Sequence, residues 1–154
     1  MTARQSAGIL LYRKKNGELE VLLGHMGGPF WARKDAGGWS LPKGEYEPDE
    51  EPEAAARREF TEELGLPLPA GPLAELGSVR QSGGKVVTVW ALEGELDPAL
   101  AVPGTFAMEW PKGSGRMQEF PEMDRFAWFT LADAREKLLK GQQPFLERLV
   151  SLVS

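Results

Sequence analysis

Two apolar stretches open the chain, residues 6–13 (SAGILLYR) and 19–24 (LEVLLG), separated by KKNGE. Asn16-Gly17 lies between them, and both residues tolerate φ > 0, so the pattern predicts an antiparallel hairpin. Residues 25–38 (HMGGPFWARKDAGG) have a glycine pair at each end of the segment and a proline, which is a loop composition. Trp39-Ser40-Leu41-Pro42-Lys43-Gly44 then reads as a short strand running into a turn. From Pro52 to Leu64 the period changes to that of a helix, with Ala56, Phe60 and Leu64 forming its core stripe. Residues 75–81 and 85–92 alternate as strands joined across Ser82-Gly83-Gly84. In the second of these, Val86, Thr88 and Trp90 share one face and Val87, Val89 and Ala91 the other, as in a central strand covered on both sides. Residues 93–123 are polar, broken by Pro98, Pro103, Pro111 and Pro121 and by KGSGR at 112–116, and are expected to form a long loop. Arg125–Thr130 is a last strand. Leu131–Lys140 is an amphipathic helix with Leu131, Ala134, Leu138 and Leu139 inward and Gly141 as its stop, and Pro144–Val150 is a final helix. Strands, helix, strands and C-terminal helices in this order predict an α/β or α+β fold, residues 1–154 forming one domain with a mixed sheet between helices.

Composition narrows the partners. The 154 residues carry a net charge of −5, which argues against a nucleic-acid polymer as ligand. A small phosphorylated substrate remains compatible, because a metal and a few local Lys or Arg can hold it. The absence of cysteine excludes disulfides, thiol catalysis and cysteine metal sites. The longest apolar run near the N-terminus, Ala7–Tyr12, is too short for a membrane span or a signal core, so a cytoplasmic protein without membrane partners is expected.

The predicted helix also carries Glu59, Glu62 and Glu63, which at i, i+3 and i+4 fall within an arc of about 100°. Such a face is either a solvated acidic surface or a site for a hard divalent cation such as Mg²⁺. Gly65 follows as a C-cap would, which puts Glu62 and Glu63 at the helix end where negative charge is disfavoured and a cation is called for. Lys43, just before the helix, is either a surface lysine or a phosphate contact. In the glycine loop Phe30, Trp31, Arg33 and Lys34 can stack a base and meet phosphates, or simply pack. Arg80 and Lys85 flank a turn with the same ambiguity. His25, the only histidine, reads as a strand-end residue. Glu109, Glu119 and Glu122 are further carboxylates that the 93–123 segment could bring to a metal.

The stretch Gly44–Leu66 resembles the Nudix box: Gly44, five residues, Glu50, seven residues, then Arg58-Glu59-Phe60-Thr61-Glu62-Glu63-Leu64-Gly65-Leu66. Phe60, where a smaller aliphatic residue is usual, is the one mild departure. The resemblance implies the Nudix α/β/α sandwich and hydrolysis of a nucleoside diphosphate linked to another group X, using Mg²⁺ or Mn²⁺. It implies Glu59, Glu62 and Glu63 as metal ligands, and Arg58 as the group that pairs with a nearby acid and orients Glu59. Glu50 is implied to be more structural than chemical. Glu62 or Glu63 is the expected base, and Glu122, six residues before Trp128, is a further ligand or base. The W-S-L-P-K-G segment is similar to that of dinucleoside polyphosphate hydrolases, with Lys43 a phosphate contact; Trp31, Arg33 and Lys85 are further candidate substrate contacts by their own chemistry. A tyrosine that some of those enzymes carry is replaced here by Ser82 and Gly83. The broader pattern is similar to bacterial NTP pyrophosphohydrolases. A nucleoside polyphosphate, either an NTP or Ap4A-like, is therefore the expected substrate of a monomer or homodimer. ADP-ribose or nucleotide-sugar hydrolysis, and a non-catalytic nucleotide-sensing module, are the alternatives.

Overall fold

The computed structural model describes residues 4–154, with the backbone alone at Ser82. Its strands are β1 (Gln5–Lys15), β2 (Glu18–Met26), β3 (Trp39–Ser40), β4 (Lys43–Glu45), β5 (Ala74–Arg80), β6 (Val86–Glu93), β7 (Thr105–Glu109), β8 (Met117–Pro121) and β9 (Met123–Thr130). Its helices are α1 (Pro52–Leu64), α2 (Leu131–Lys137) and α3 (Gln143–Val153).

The N-terminal hairpin forms as the pattern predicts, and Asn16 (φ 54°) and Gly17 (φ 80°) both adopt the left-handed conformation that its tight turn requires. The two strands then splay. Tyr12–Lys15 of β1 pairs with Glu18–Val21, whereas Ser6–Gly8 pairs with Lys43–Glu45 of β4. Further along β2, Gly24 and His25 pair with Ser40 and Trp39 of β3. The segment Trp39–Glu45 is thus a wedge in the fork between β1 and β2. It packs tightly there, since a Cβ on Gly8 would meet Leu41 and the Pro42 carbonyl at 2.6 Å. On its other edge β1 runs parallel to β6, which pairs with β5, while β9 lies against β2.

The alternation of side chains fills two cores. Ala7, Ile9 and Leu11 of β1, with Leu22, Trp90 and Leu92, pack against Ala55, Ala56, Phe60 and Leu64 of α1. Leu10, Val21, Leu23, Val87 and Val89 face the other way onto Ala134 of α2 and Phe145, Leu146 and Leu149 of α3. A large mixed sheet between helices is the α+β arrangement expected. The opposite faces of β6 enter separate cores, as its two apolar faces foretold.

Three elements differ from the sequence expectation. The polar segment 93–123 contains a second, two-stranded sheet, β7 paired with β8 from Thr105↔Pro121 to Glu109↔Met117. Its alternation is short, interrupted by prolines and mostly solvent-facing, so little apolar signal marks it. Helix α2 stops at Lys137 instead of Lys140. Leu138 turns extended (φ −70°, ψ 140°) and bridges Trp39, so it is buried as expected but off the helix. Gly141 consequently lies within a 3-10 turn, Lys140–Gln142, and α3 is longer than Pro144–Val150 at both ends.

Candidate active site

Helix α1 begins with Pro52 in its first turn, where a missing N–H costs nothing, and ends at Gly65, whose left-handed φ of 65° lets its N–H close on Thr61. Any side chain at Gly65 would strike the Val102 carbonyl, which lies 2.4 Å from where its Cβ would be. One stripe of α1 enters the core, and the adjacent stripe carries Glu59 and Glu63 under the wedge. Gly44 of β4 lies directly over Glu59: a Cβ there would sit 1.9 Å from Glu59 Oε2. Glycine at this position is what gives the carboxylate its space.

Arg58 organises the outer side of the helix. Its Nε and Nη2 donate to the two carboxylate oxygens of Glu50, both at 2.8 Å, a bidentate clamp between the preceding loop and the helix. Its Nη1 donates to Glu59 Oε1 at 2.9 Å and to Glu62 Oε2 at 3.0 Å. These partners, Glu50 first, raise the Arg58 pKa further above its already high ordinary value, and Arg58 in turn holds Glu50 below the usual carboxylate range. One Glu59 oxygen is therefore fixed while the other is aimed at Gly44.

Glu63 has a different environment. It is 7% exposed, and its Oε2 has no hydrogen-bond partner. Burial first, and then the charges of Glu122 and Glu59, push its pKa up to about 8 against the pull of Lys43's ammonium and backbone N–H. Burial likewise raises Glu59. Lys43, half-buried between Glu63 and Lys85, is lowered by burial and by Lys85, with Glu63 acting in the opposite sense. Glu122 sits at the corner between β8 and β9, where its N–H reaches the Gly104 carbonyl (2.8 Å) and its own carbonyl accepts from Gly27 (2.9 Å). Gly27 has no room for a side chain, because its Cβ would fall 1.8 Å from the Pro121 carbonyl.

These groups line one cleft of about 600 Å³, together with Phe30, Trp31, Phe106 and Met108. Of the residues singled out in the sequence, Glu59, Glu62, Glu63, Glu122, Lys43, Lys85 and Trp31 meet there. Arg33 does not: it is exposed on the outer side of the loop. Glu109 accepts from the N–H groups of Gly113 and Gly115 in its own hairpin turn, and Glu119 accepts from the Thr105 hydroxyl, so neither joins the cleft. His25, the strand-end residue expected, is buried at the end of β2 and spans the Asp124 carboxylate (2.9 Å) and the Lys34 carbonyl (2.6 Å), which makes it a loop anchor. Sequence reasoning missed Phe106 and Met108. Their signal was the alternation T-F-A-M-E followed by the glycine-containing turn.

The residues fit a hard divalent cation. An all-carboxylate donor set suits Mg²⁺ or Mn²⁺, and a buried carboxylate oxygen with no partner is a costly arrangement unless a ligand completes it. Among the described residues no three such groups are already drawn into a ligand cluster. Arg58 occupies one oxygen each of Glu59 and Glu62.

A family profile described as the NUDIX domain matches residues 2–149. Among solved structures, the Ap4A hydrolase of C. elegans in a binary complex aligns with 98% of this chain and 98% of its own, at 23% identity and TM-score 0.64. The NUDIX domain of Shewanella oneidensis NrtR, complexed with ADP ribose, covers 100% of this chain and 90% of its own at 18% identity and TM-score 0.67. A Nudix hydrolase from M. smegmatis, RenU, covers 99% and 87% at 24% identity and TM-score 0.60. No curated protein sequence gives a significant match. At these identities the structural likeness is one of fold.

Proposed function

The chain belongs to the Nudix family, and from that premise we propose that it is a pyrophosphohydrolase that cleaves a pyrophosphate bond in a nucleoside polyphosphate, an NTP or an Ap4A-like dinucleotide. The observation that carries the assignment of the site is the unpartnered, buried Glu63 Oε2 in a cleft shared with Glu59, Glu62, Glu122 and Lys43. Glu59, Glu62, Glu63 and Glu122 would hold Mg²⁺ or Mn²⁺, which when bound neutralises phosphate charge and makes water more acidic. The chain's own groups do the rest. Arg58 positions Glu59 and ties the helix to Glu50. Lys43 neutralises a phosphate oxygen from the start of β4, with Lys85 beside it. Of the two base candidates, Glu63 is supported by its free oxygen, whereas Glu62 is engaged by Arg58.

The W-S-L-P-K-G wedge and the likeness to the Ap4A hydrolase support a polyphosphate chain. The likeness to a domain complexed with ADP ribose keeps ADP-ribose as the second substrate class. Resolving the products from ATP, Ap4A, ADP-ribose and a nucleotide sugar with Mg²⁺ or Mn²⁺ separates the two. Glu63→Gln is expected to keep the fold and lower kcat by roughly 10²–10⁴-fold, the range for loss of a general base. Cation-dependent turnover of none of these compounds would sink the polyphosphate proposal, and near-wild-type kcat in the variant would sink the role of Glu63.

A further inference from the structure

Resting on the reading of the cleft as a substrate site, we infer that His25 is a positioning residue, a buried imidazolium whose two N–H groups tie the 27–38 loop to β9 and so set how tightly the cleft takes its substrate. A neutral imidazole has one N–H and one bare nitrogen, so it can donate to only one acceptor. His25 faces two. Its Nε2 lies 2.6 Å from the Lys34 carbonyl, which can only accept, and its Nδ1 lies 2.9 Å from Asp124 Oδ2. Asp124 accepts from Arg125 Nη1 through its other oxygen at 2.9 Å, as a carboxylate does. Both ring nitrogens must therefore carry hydrogen, and an imidazole in that state is a cation. The surroundings suit the charge. His25 is 1% exposed, where an ion without a partner would be costly, and Asp124 supplies the partner. The other charged groups on the elements packed around it are engaged elsewhere. Arg125 lies over the Trp39 ring, Asp35 accepts from the Trp39 indole and from Lys137, and the Lys34 ammonium sits over Phe30 and Trp31.

The loop that His25 holds supplies one wall of the cleft, through Gly27, Gly28, Pro29, Phe30 and Trp31. Among the described residues, the backbone bonds from Gly28 to Lys34 are local turns, Trp31 N–H to the Gly28 carbonyl and Lys34 N–H to the Trp31 carbonyl. This arc is therefore placed from its ends. At one end the Gly27 N–H donates to the Glu122 carbonyl, and at the other His25 grips the Lys34 carbonyl. Gly38 leaves room for that grip, since a Cβ there would lie 2.2 Å from the Lys34 carbonyl and 3.4 Å from His25 Nε2. Asp124, which receives the other N–H, stands two residues after Glu122. One ring thus fixes the wall of the cleft to the strand that follows one of its carboxylates.

The chain has a single histidine, so nitrogen-15 spectra of the untagged protein read this ring alone. At the pH of the assay both ring nitrogens should carry hydrogen. Asp124→Asn should leave one nitrogen bare, because the asparagine amide can donate to Nδ1 while Nε2 still donates to Lys34. A bare nitrogen in the wild type, or a spectrum unchanged by Asp124→Asn, overturns the inference and leaves pyrophosphate hydrolysis untouched. Kinetics with ATP, Ap4A and ADP-ribose then separate positioning from mere support. In His25→Gln, an amide that donates to Lys34 turns its oxygen on the Asp124 carboxylate, so KM should rise roughly ten-fold or more. The value of kcat should change little, the signature of lost uniform binding. Asp124→Asn alone should keep the wild-type KM, and added to His25→Gln it supplies the missing N–H and should restore most of the loss. An unchanged KM in His25→Gln, or a double variant as weak as the single one, overturns the positioning role. If none of the three compounds is turned over, the calorimetric Kd of ATP with Mn²⁺ takes the place of KM with the same expected ratios. Absence of binding then rejects the positioning role, while the spectrum still decides the charge of the ring.

Discussion

Two buried polar side chains flank the Trp39–Glu45 wedge, one from each helical layer, and they have opposite fates. Gln142, fully buried on the α2–α3 side, accepts from the Leu41 N–H at 3.0 Å and donates to the Ser40 hydroxyl at 2.9 Å. Glu63, on the α1 side beneath Lys43, is nearly as buried but leaves Oε2 without a partner. A buried polar group that is fully bonded specifies structure, whereas one left open stores an unmet demand that a ligand can meet. The wedge is therefore locked from one side and loaded from the other. Satisfaction, more than burial or charge, separates the scaffold from the site.

The widest separation between the two residues should appear in turnover, where Glu63→Gln costs orders of magnitude and keeps the fold. The metal-free protein shows the reverse side of that change. With its folded pKa near 8, above the ordinary carboxylate value of 4.5, Glu63 keeps its proton in the folded state while the unfolded chain ionises. Its stabilising contribution is thus complete below pH 4.5 and is lost as pH rises through about 8. Glu59, also raised, acts in the same direction. In chelator, Tm should fall from pH 5 to pH 8 and flatten above it, and Glu63→Gln should remove most of that slope. Mn²⁺ should restore Tm at pH 8 through binding to the folded form alone. A wild-type Tm that is flat over this range, or unmoved by Mn²⁺, would mean that the open oxygen carries no unmet demand.

The contrast also explains what could be read in the residues beforehand. The hairpin at Asn16-Gly17, the α1 core stripe and the Gly65 cap are local consequences of side-chain period and backbone freedom, and each formed where it was expected. The spacing of Arg58, Glu59, Glu62 and Glu63 was equally legible, because one helix fixes their relative directions. Gln142 was not legible: its partners lie 101 and 102 residues away, and a glutamine just before a proline-started helix carries no local sign of burial. Phe106 and Met108 escaped because a five-residue strand with most of its residues in solvent has almost no apolar pattern. The residues alone left Glu109, Glu119 and Glu122 open, because the choice depends on which of them the backbone clamp to Gly27 and Gly104 places at the cleft; only the family resemblance, through the spacing to Trp128, pointed to Glu122.

Gln142→Ala has the next largest expected effect, and on stability instead of chemistry. It strands the Leu41 N–H and leaves a small void between layers, which together cost about 2–3 kcal/mol, read as a lower urea midpoint with little change in m. The pH slope assigned to Glu63 should survive, since the two residues act on the wedge from opposite faces. If Gln142→Ala instead lowered kcat as far as Glu63→Gln while leaving the urea midpoint in place, the lock and the load would be one device.

The smallest effect is expected at Arg33, and it tests the rigidity on which the contrast depends. Arg33 shares its loop with Phe30, Trp31 and Lys34, and its charge suits a phosphate, yet it is exposed and does not line the cleft. The anchors at Lys34, Asp35 and Gly37 hold the loop so that Trp31 faces inward while Arg33 faces water. An exposed substitution without such contacts changes stability by no more than about 0.5 kcal/mol, and Arg33→Ala should leave kcat/KM essentially unchanged, because Arg33 does not line the cleft. A ten-fold loss confined to KM would mean that the loop turns over on binding and brings Arg33 to the phosphates. His25 and Asp35 would then be hinges instead of anchors, and the same measurement on His25→Gln would show the loss growing instead of staying constant.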